Sequence, residues 1–336
     1  MLLGAVCRAG GDTPLPSDWG LLSVGSQAPI FQNRLSPTPS RLLPLAAHAI
    51  ELQAMLSHVN TWAQMPSYFV DGEWTQLTLA LGYGLGHGIE LGAKLPLGGR
   101  SGGFLDGTIM GFHDLFKVTQ ARRDRFARNR LRVATRQSTG WHTYLATRDA
   151  SVGVANPVLS FRQALGLSAC PGAPRLMLEA ALKLPIGSMA RQFATDNVAL
   201  LTGLALQHAA SARLDVALGG GIVLSPGSQR VYGIELSWLQ KYLFAGVGLT
   251  LSSAWRLVFQ YLGQDGIAER ASYRPMDNTT HEFALGVQWA PASFYLVEAG
   301  LIENAIHDAN TPDFGLHLGL RFYPRGQALA LSPSWR

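Results

Sequence analysis

The chain has 336 residues, 47% hydrophobic and 15% charged, with 37 glycines and a formal net charge of +5. Soluble domains average about a quarter charged residues, so this chain is short of ionic groups for its size. No run reaches the roughly 18–20 consecutive apolar residues of a spanning helix, which excludes a helical membrane protein.

Residues 1–42 come first. The opening MLLGAVCRAGG is apolar but has no basic start and too little length for a full signal peptide, so it reads as a leader remnant. Cys7 and Cys170 lie far apart with no Cys/His grouping, and read as incidental thiols; no metal or cofactor is expected. From about 8 to 42 the chain is rich in Pro, Ser and Gly and lacks periodicity, an irregular lead-in.

Alternation then begins. Residues 46–58 set Ile50, Leu52, Ala54 and Leu56 against Glu51, Gln53 and Ser57. Residues 74–85 set Leu77, Leu79, Leu81, Tyr83 and Leu85 against Gln76 and Thr78, and 89–97 follow after a tight GLGHG turn. A long interval, 98–149, separates these from the rest. Within it, residues 104–118 carry helical spacing, with Leu105, Ile109, Phe112 and Phe116 on one stripe. A basic run follows: Arg122, Arg123, Arg125, Arg128, Arg130, Arg132 and Arg136.

Strands resume after Asp149. Residues 151–165 are the least regular. Residues 175–184, RLMLEAALKL, put Leu176, Leu178, Leu182 and Leu184 on one face and Arg175, Glu179 and Lys183 on the other. Further segments at 197–207, 213–224, 239–251, 255–261, 281–289, 294–301 and 314–322 repeat the pattern. Short connections near 85–88, 166–173, 208–212, 252–254 and 291–292 alternate with long ones near 59–72, 98–149, 186–195, 225–238, 264–280 and 303–312.

About twelve strands with loops sorted this way predict a transmembrane antiparallel β-barrel, short turns on the periplasmic side and long loops outside. An open sheet edge in hydrocarbon leaves backbone groups unpaired at several kcal/mol each, so the last strand must meet the first. Aromatic residues near strand ends (Tyr68, Trp74, Trp238, Trp255, Trp289, Phe294, Phe322 and Tyr323) are expected to form interfacial girdles. Residues 315–322 look like an outer-membrane assembly signal, which makes the barrel assembly machinery an expected partner. The barrel is placed at 43–323, with a tail at 324–336.

The segments DGEWTQLTLALGYGL, IELGAKLP, SGGFLDGTIMGFHDLF, KLPIG and NTPDFGLHLGLRF, in this order, resemble an uncharacterised Gram-negative outer-membrane family known only by a domain-of-unknown-function label. SGGFLDG…FHDLF is the most specific of these motifs. The resemblance spans roughly residues 25 to 323 and implies an outer-membrane β-barrel, with no substrate or activity attached. The tail after Phe322 and the Glu303-Asn304 pair, where two consecutive acids are expected, depart from the pattern.

With the oily faces outward, the lumen receives Glu51, Glu90, Lys94, Arg162, Glu179, Lys183, Asp215, Arg256, Glu282, Glu298, His317 and Arg321. Acids and bases nearly balance, as buried charges must. Twelve strands leave more room than an eight-stranded barrel, which side chains fill, so a plug is expected. The candidates are the Pro-rich N-terminus and the helical segment with Phe104, Asp106, Phe112, His113, Asp114 and Phe116. Arg122, Arg123, Arg125 and Arg128 suit phosphate, which makes lipopolysaccharide an expected contact. They carry no nucleic-acid-binding fold, so nucleic acid is not an expected partner. The functional expectation is a narrow channel or binding barrel for a small solute in the outer membrane of a Gram-negative bacterium. The alternatives are a lipid hydrolase using Ser101 and His113, and a plugged structural barrel.

Overall fold

The computed structural model describes residues 19–28, 30–117, 119–120, 122–165, 174–188, 192–268, 274–304 and 310–324. The segment expected to be a leader remnant, with Cys7, the second thiol Cys170 and the tail beyond 324 lie outside the described residues. No described helix is long and apolar enough to cross a membrane.

Strands form where side chains alternate. They are β1 (Ile50–Gln64), β2 (Tyr68–Gly86), β3 (Ile89–Ser101), β4 (Arg132–Gln137), β5 (Gly140–Leu145), β6 (Ser151–Val154), β7 (Val158–Leu165), β8 (Arg175–Lys183) and β9 (Ala199–Ala209). Then come β10 (Leu214–Leu224), the small hairpin β11 (Arg230–Val231) and β12 (Ile234–Glu235), β13 (Leu239–Thr250), β14 (Trp255–Gln264), β15 (Thr280–Ala292), β16 (Tyr295–Asn304) and β17 (Phe314–Phe322). Two helices, α1 (Asp106–Phe116) and α2 (Arg274–Asp277), lie in connections.

β6 and β7 both pair with β3, one beyond the other, and act as a single wall strand broken at 155–157. This is the segment whose alternation is weakest in the sequence. Pro157 has no N–H for a ladder. Asn156 uses its amide elsewhere: Nδ2 donates to the Thr195 carbonyl at 2.7 Å and Oδ1 accepts from Gly187 N at 3.0 Å. Counting that pair once, and setting aside β4 and β5, which extend β2 past the wall, twelve antiparallel strands close the barrel. Closure is made by β17 on β1, in register from Leu52 opposite Phe322 to Asn60 opposite Phe314.

The outer wall is leucine-rich. Leu52, Leu81, Leu204, Leu218, Leu243, Leu285 and Leu318 are all exposed, each flanked on its own strand by inward-facing neighbours. Trp255 stacks on Trp289 with ring centroids 5.8 Å apart, and Phe294 meets Phe322 edge-on at 6.4 Å; all four are exposed at the end that holds the chain's last strand residue. Trp238 is exposed near the other end.

Three expected girdle residues turn inward instead. Tyr68 and Trp74 are buried because they share the inward parity of Gln76 and Thr78 on β2 and pack into the main core with Leu131, Val133 and Leu145. Tyr323 is buried because its hydroxyl donates to Glu51 Oε2 at 2.6 Å. The expected long loop at 59–72 is likewise replaced by a tight turn at 65–67 between two long strands. The strand residues there sit on a sheet with both faces covered.

Inside the barrel runs the N-terminal segment. Trp19, Leu45 and Ala49 cluster with Leu296 and Tyr323 at the periplasmic end. Leu21, Leu22, Val24, Ala28, Ile30, Leu35 and Leu42 join the main core. The chain rises through the lumen, turns at the 3-10 helix Phe31–Asn33, and descends into β1.

Candidate functional site: the filled lumen

Each charged residue expected in the lumen sits on an inward face, and cross-strand register explains how these charges meet. Glu90 on β3 stands opposite Arg162 on β7, which stands opposite Glu179 on β8. Arg162 lies 3.6 Å from the Glu90 carboxylate and 3.3 Å from that of Glu179. At the periplasmic end Arg256 pairs with Asp215. Glu298 is a hub: Arg321 lies 3.0 Å from one of its oxygens and His317 2.9 Å from the other. Such pairs are kept because removing one partner strands a buried charge.

Much of this ionic lining grips the lumenal segment. Arg321 donates to the carbonyls of Trp19 and Leu21, both at 2.7 Å. Leu22 N donates to Gln260 Oε1 at 2.9 Å, and Ser23 N to Glu298 Oε1 at 2.7 Å. Glu282 accepts from Ser26 Oγ and, at 2.8 Å, from Gln27 N. On the descent, Arg41 lies 3.3 Å from Glu51 and 2.7 Å from Glu90, and Leu45 N donates to Glu90 at 2.8 Å. A segment with no strand or α-helix among its described residues thus has its backbone groups answered by wall side chains, as buried polar groups require.

Close packing needs small residues on the facing wall. A Cβ at Gly246 would come 2.5 Å from Leu21 Cδ2, and one at Gly286 would come 2.9 Å from Leu22 Cδ1. These glycines, on inward positions of β13 and β15, were the sequence signal for a segment lying against this side.

The segment is off-centre. It presses on β13 to β17, and on the other side it leaves a cavity of about 100 Å³ lined by β1–β3, β7–β9 and His317 of β17. Polar walls include Ser57, Gln76, Thr78, Lys94, Glu179, Lys183 and His317. A smaller cavity of about 20 Å³ continues toward the periplasmic end between Glu51, Gln53, Glu90 and Arg162, and Lys94 borders both.

The expected plug helix has another place. α1 sits at the outer rim, with Leu105, Asp106 and Ile109 buried and Phe104, Phe112 and Leu115 exposed. The motif before it wraps a carboxylate: Glu73 Oε1 accepts from the backbone N–H of Phe104 at 2.8 Å and of Leu105 at 2.5 Å. Gly103, at φ +73°, must be glycine, since a Cβ would fall 1.7 Å from Glu73 Cδ. Asp106 then accepts from Asn129 N at 2.7 Å and from Asn60 Nδ2 at 3.1 Å.

Arg123 corrects one expectation. It is buried rather than presented to lipid, with Nη2 2.6 Å from Asn60 Oδ1 and 2.5 Å from Asp313 Oδ2, and its guanidinium 5.5 Å from the Trp62 ring centre. Neutralising buried acids outweighs exposure for this one arginine. Arg122, Arg125 and Arg128 are exposed.

His113 and Ser101 form no hydrogen bond with each other among the described residues. Asp114 accepts from Gln120 Nε2 at 2.7 Å rather than orienting His113. Burial, then the charge of Arg123, holds the His113 pKa below its usual range. No base–orienter pair is assembled there.

A closed wall of alternating strands, oily outside and ionic within, defines an outer-membrane β-barrel. The family model described as "Protein of unknown function (DUF3187)" matches residues 2–323, and the chain belongs to that family. No curated protein sequence matches it. Among solved structures it is similar to an outer membrane channel from Pseudomonas putida F1, with TM-score 0.56 and 14% identity over 85% of this chain and 99% of that one. The NanC porin follows with TM-score 0.46 and 8% identity over 82% of this chain and 99% of that one. At these identities the first likeness speaks for the fold alone.

Proposed function

We propose that this barrel is a narrow outer-membrane channel for small solutes, its bore set by the N-terminal segment rather than by α1. The carrying observation is the off-centre course of that segment. It leaves two polar cavities on one side of the lumen, both bordered by Lys94, where a segment filling the axis would leave none. A purely structural interior has no reason to keep an ammonium bordering both spaces.

The exposed Arg122, Arg125 and Arg128 on the outer loop suit phosphates of a lipopolysaccharide leaflet, which fits a Gram-negative cell. The alternating β17, ending on an exposed aromatic, suits the barrel assembly machinery.

Purified protein in planar bilayers tests the channel. The full chain should conduct in small steps, and deletion of residues 19–42 should enlarge them. If the deletion variant folds as a heat-modifiable barrel and still passes no current, the channel reading fails.

A further inference from the structure

We propose that the cavity beside the lumenal segment binds a small oxyanion, a carboxylate or phosphate, held by Arg34 and Lys183 with Lys94 below them. This deepens the channel reading and rests on it, since the site lies on the proposed path.

The charge balance of this cavity differs from that of the rest of the lumen. Elsewhere four buried arginines are matched to carboxylates at short range: Arg41 to Glu51 and Glu90, Arg162 to Glu179, Arg256 to Asp215, Arg321 to Glu298. Arg100, farther along β3, meets the Asp149 carbonyl and the Tyr232 hydroxyl instead. Around the cavity, three cations face a single lining carboxylate, Glu179, which Arg162 already engages.

Among the described residues none of the three makes a short-range ion pair; the acids whose charge acts on them are Glu179, Glu90 and Glu51 for Lys94 and Asp196 for Lys183. Lys183 donates, among the described residues, to neutral oxygens, Thr195 Oγ1 and, at 3.0 Å, Asn197 Oδ1. Arg34 reaches, among the same residues, backbone carbonyls, Ser237 O at 2.6 Å and Ile267 O at 3.5 Å. Its Nε is buried with no acceptor at all. Lys94 makes no hydrogen bond or ion pair among the described residues. A buried guanidinium N–H without an acceptor is costly, and an anion in the adjoining space supplies what is missing.

Size narrows the class. About 100 Å³ holds several waters or one small anion, not a sugar chain. Ser57, Thr78 and Gln76 add neutral groups able to hydrogen-bond the rest of an oxyanion.

The test uses the full chain in planar bilayers under a potassium chloride gradient, with succinate and inorganic phosphate added separately as blockers. The reversal potential should favour anions, and at least one blocker should lower the current at millimolar concentration; which of the two does so distinguishes a carboxylate from a phosphate source. Lys183→Gln with Lys94→Gln should raise the half-blocking concentration about tenfold, the loss of a charge-assisted hydrogen bond. Lys241→Gln, at an exposed position of the wall, should leave it unchanged.

Current that is cation-selective, or blocked equally well in the double variant, overturns the anion site and leaves the channel intact. Absence of current in both the full chain and the 19–42 deletion overturns the channel. In that case calorimetry of the detergent-purified chain with phosphate and with succinate decides the site: uptake lost in the double variant supports it, and no uptake ends it.

Discussion

Arg123 and Asp313 stand 190 positions apart in the chain, yet Arg123 Nη2 lies 2.5 Å from Asp313 Oδ2. The contact joins the loop that follows SGGFLDG to the NTPDFG approach to the last strand, with Asn60 of β1 as the shared partner. Two motifs that look unrelated in sequence are thus one mouth structure, built beside the seam where β17 meets β1.

Arg123→Ala should therefore leave the buried Asp106 and the Asp313 carboxylate short of a cation. A cost of about 3–5 kcal/mol is expected for breaking such a buried pair, measured by urea unfolding in detergent. Arg128→Ala, on an exposed residue, should stay within about 0.5 kcal/mol. Equal effects would show that Arg123 is not the inner member of the cluster.

Gly103→Ala should unseat the rim. A side chain at φ +73° is strained, and its Cβ overlaps the Glu73 carboxylate. Strain of this kind costs about 1–3 kcal/mol, concentrated in the loop rather than the wall. Limited proteolysis should cut faster between 101 and 130 while heat-modifiability of the barrel is retained; an unchanged cleavage rate would refute the cradle around Glu73.

Arg41→Ala should loosen the lumenal segment from β1 and β3. Glu51 and Glu90 would each lose a short-range cation, at 3.3 and 2.7 Å. Buried-pair loss again predicts about 3–5 kcal/mol. Single-channel records should show larger and noisier openings. Steady wild-type currents in this variant would mean that the descending arm does not limit the bore.

Leu218→Arg should disfavour insertion. Leu218 is 51% exposed on β10, whose two neighbours in the wall are β9 and β13. A cation on the lipid face near the midplane costs about 2–4 kcal/mol, falling toward zero at the interfaces. Folding equilibria in lipid vesicles measure it directly. A negligible effect would place Leu218 away from the hydrocarbon.

What could be read without coordinates follows from a local rule. In a strand, neighbouring side chains face opposite ways, so RLMLEAALKL declares one lipid face and one ionic face whatever its partners do. The same rule assigned inward positions to Glu90, Arg162, Glu179, Glu298 and Arg321, and closure followed because hydrocarbon tolerates no free edge. The rule fails where both faces of a strand are covered, as at 59–72, which its pattern presents as a loop. Tyr68 and Trp74, placed in a girdle by nearness to strand ends, in fact share the inward parity of Gln76 and Thr78.

Tertiary structure alone decided what fills the lumen and which charges are matched. The Pro- and Ser-rich segment has no periodicity, so nothing local says that it rises to Phe31 and descends to β1. Its path depends on wall groups hundreds of positions away, Gln260, Glu282, Glu298 and Arg321, answering its backbone. Arg123 and Arg128 are equivalent as letters. Only the fold surrounds one with buried acids and leaves the other in water, because burial and partner geometry are properties of the closed barrel and not of any stretch of chain.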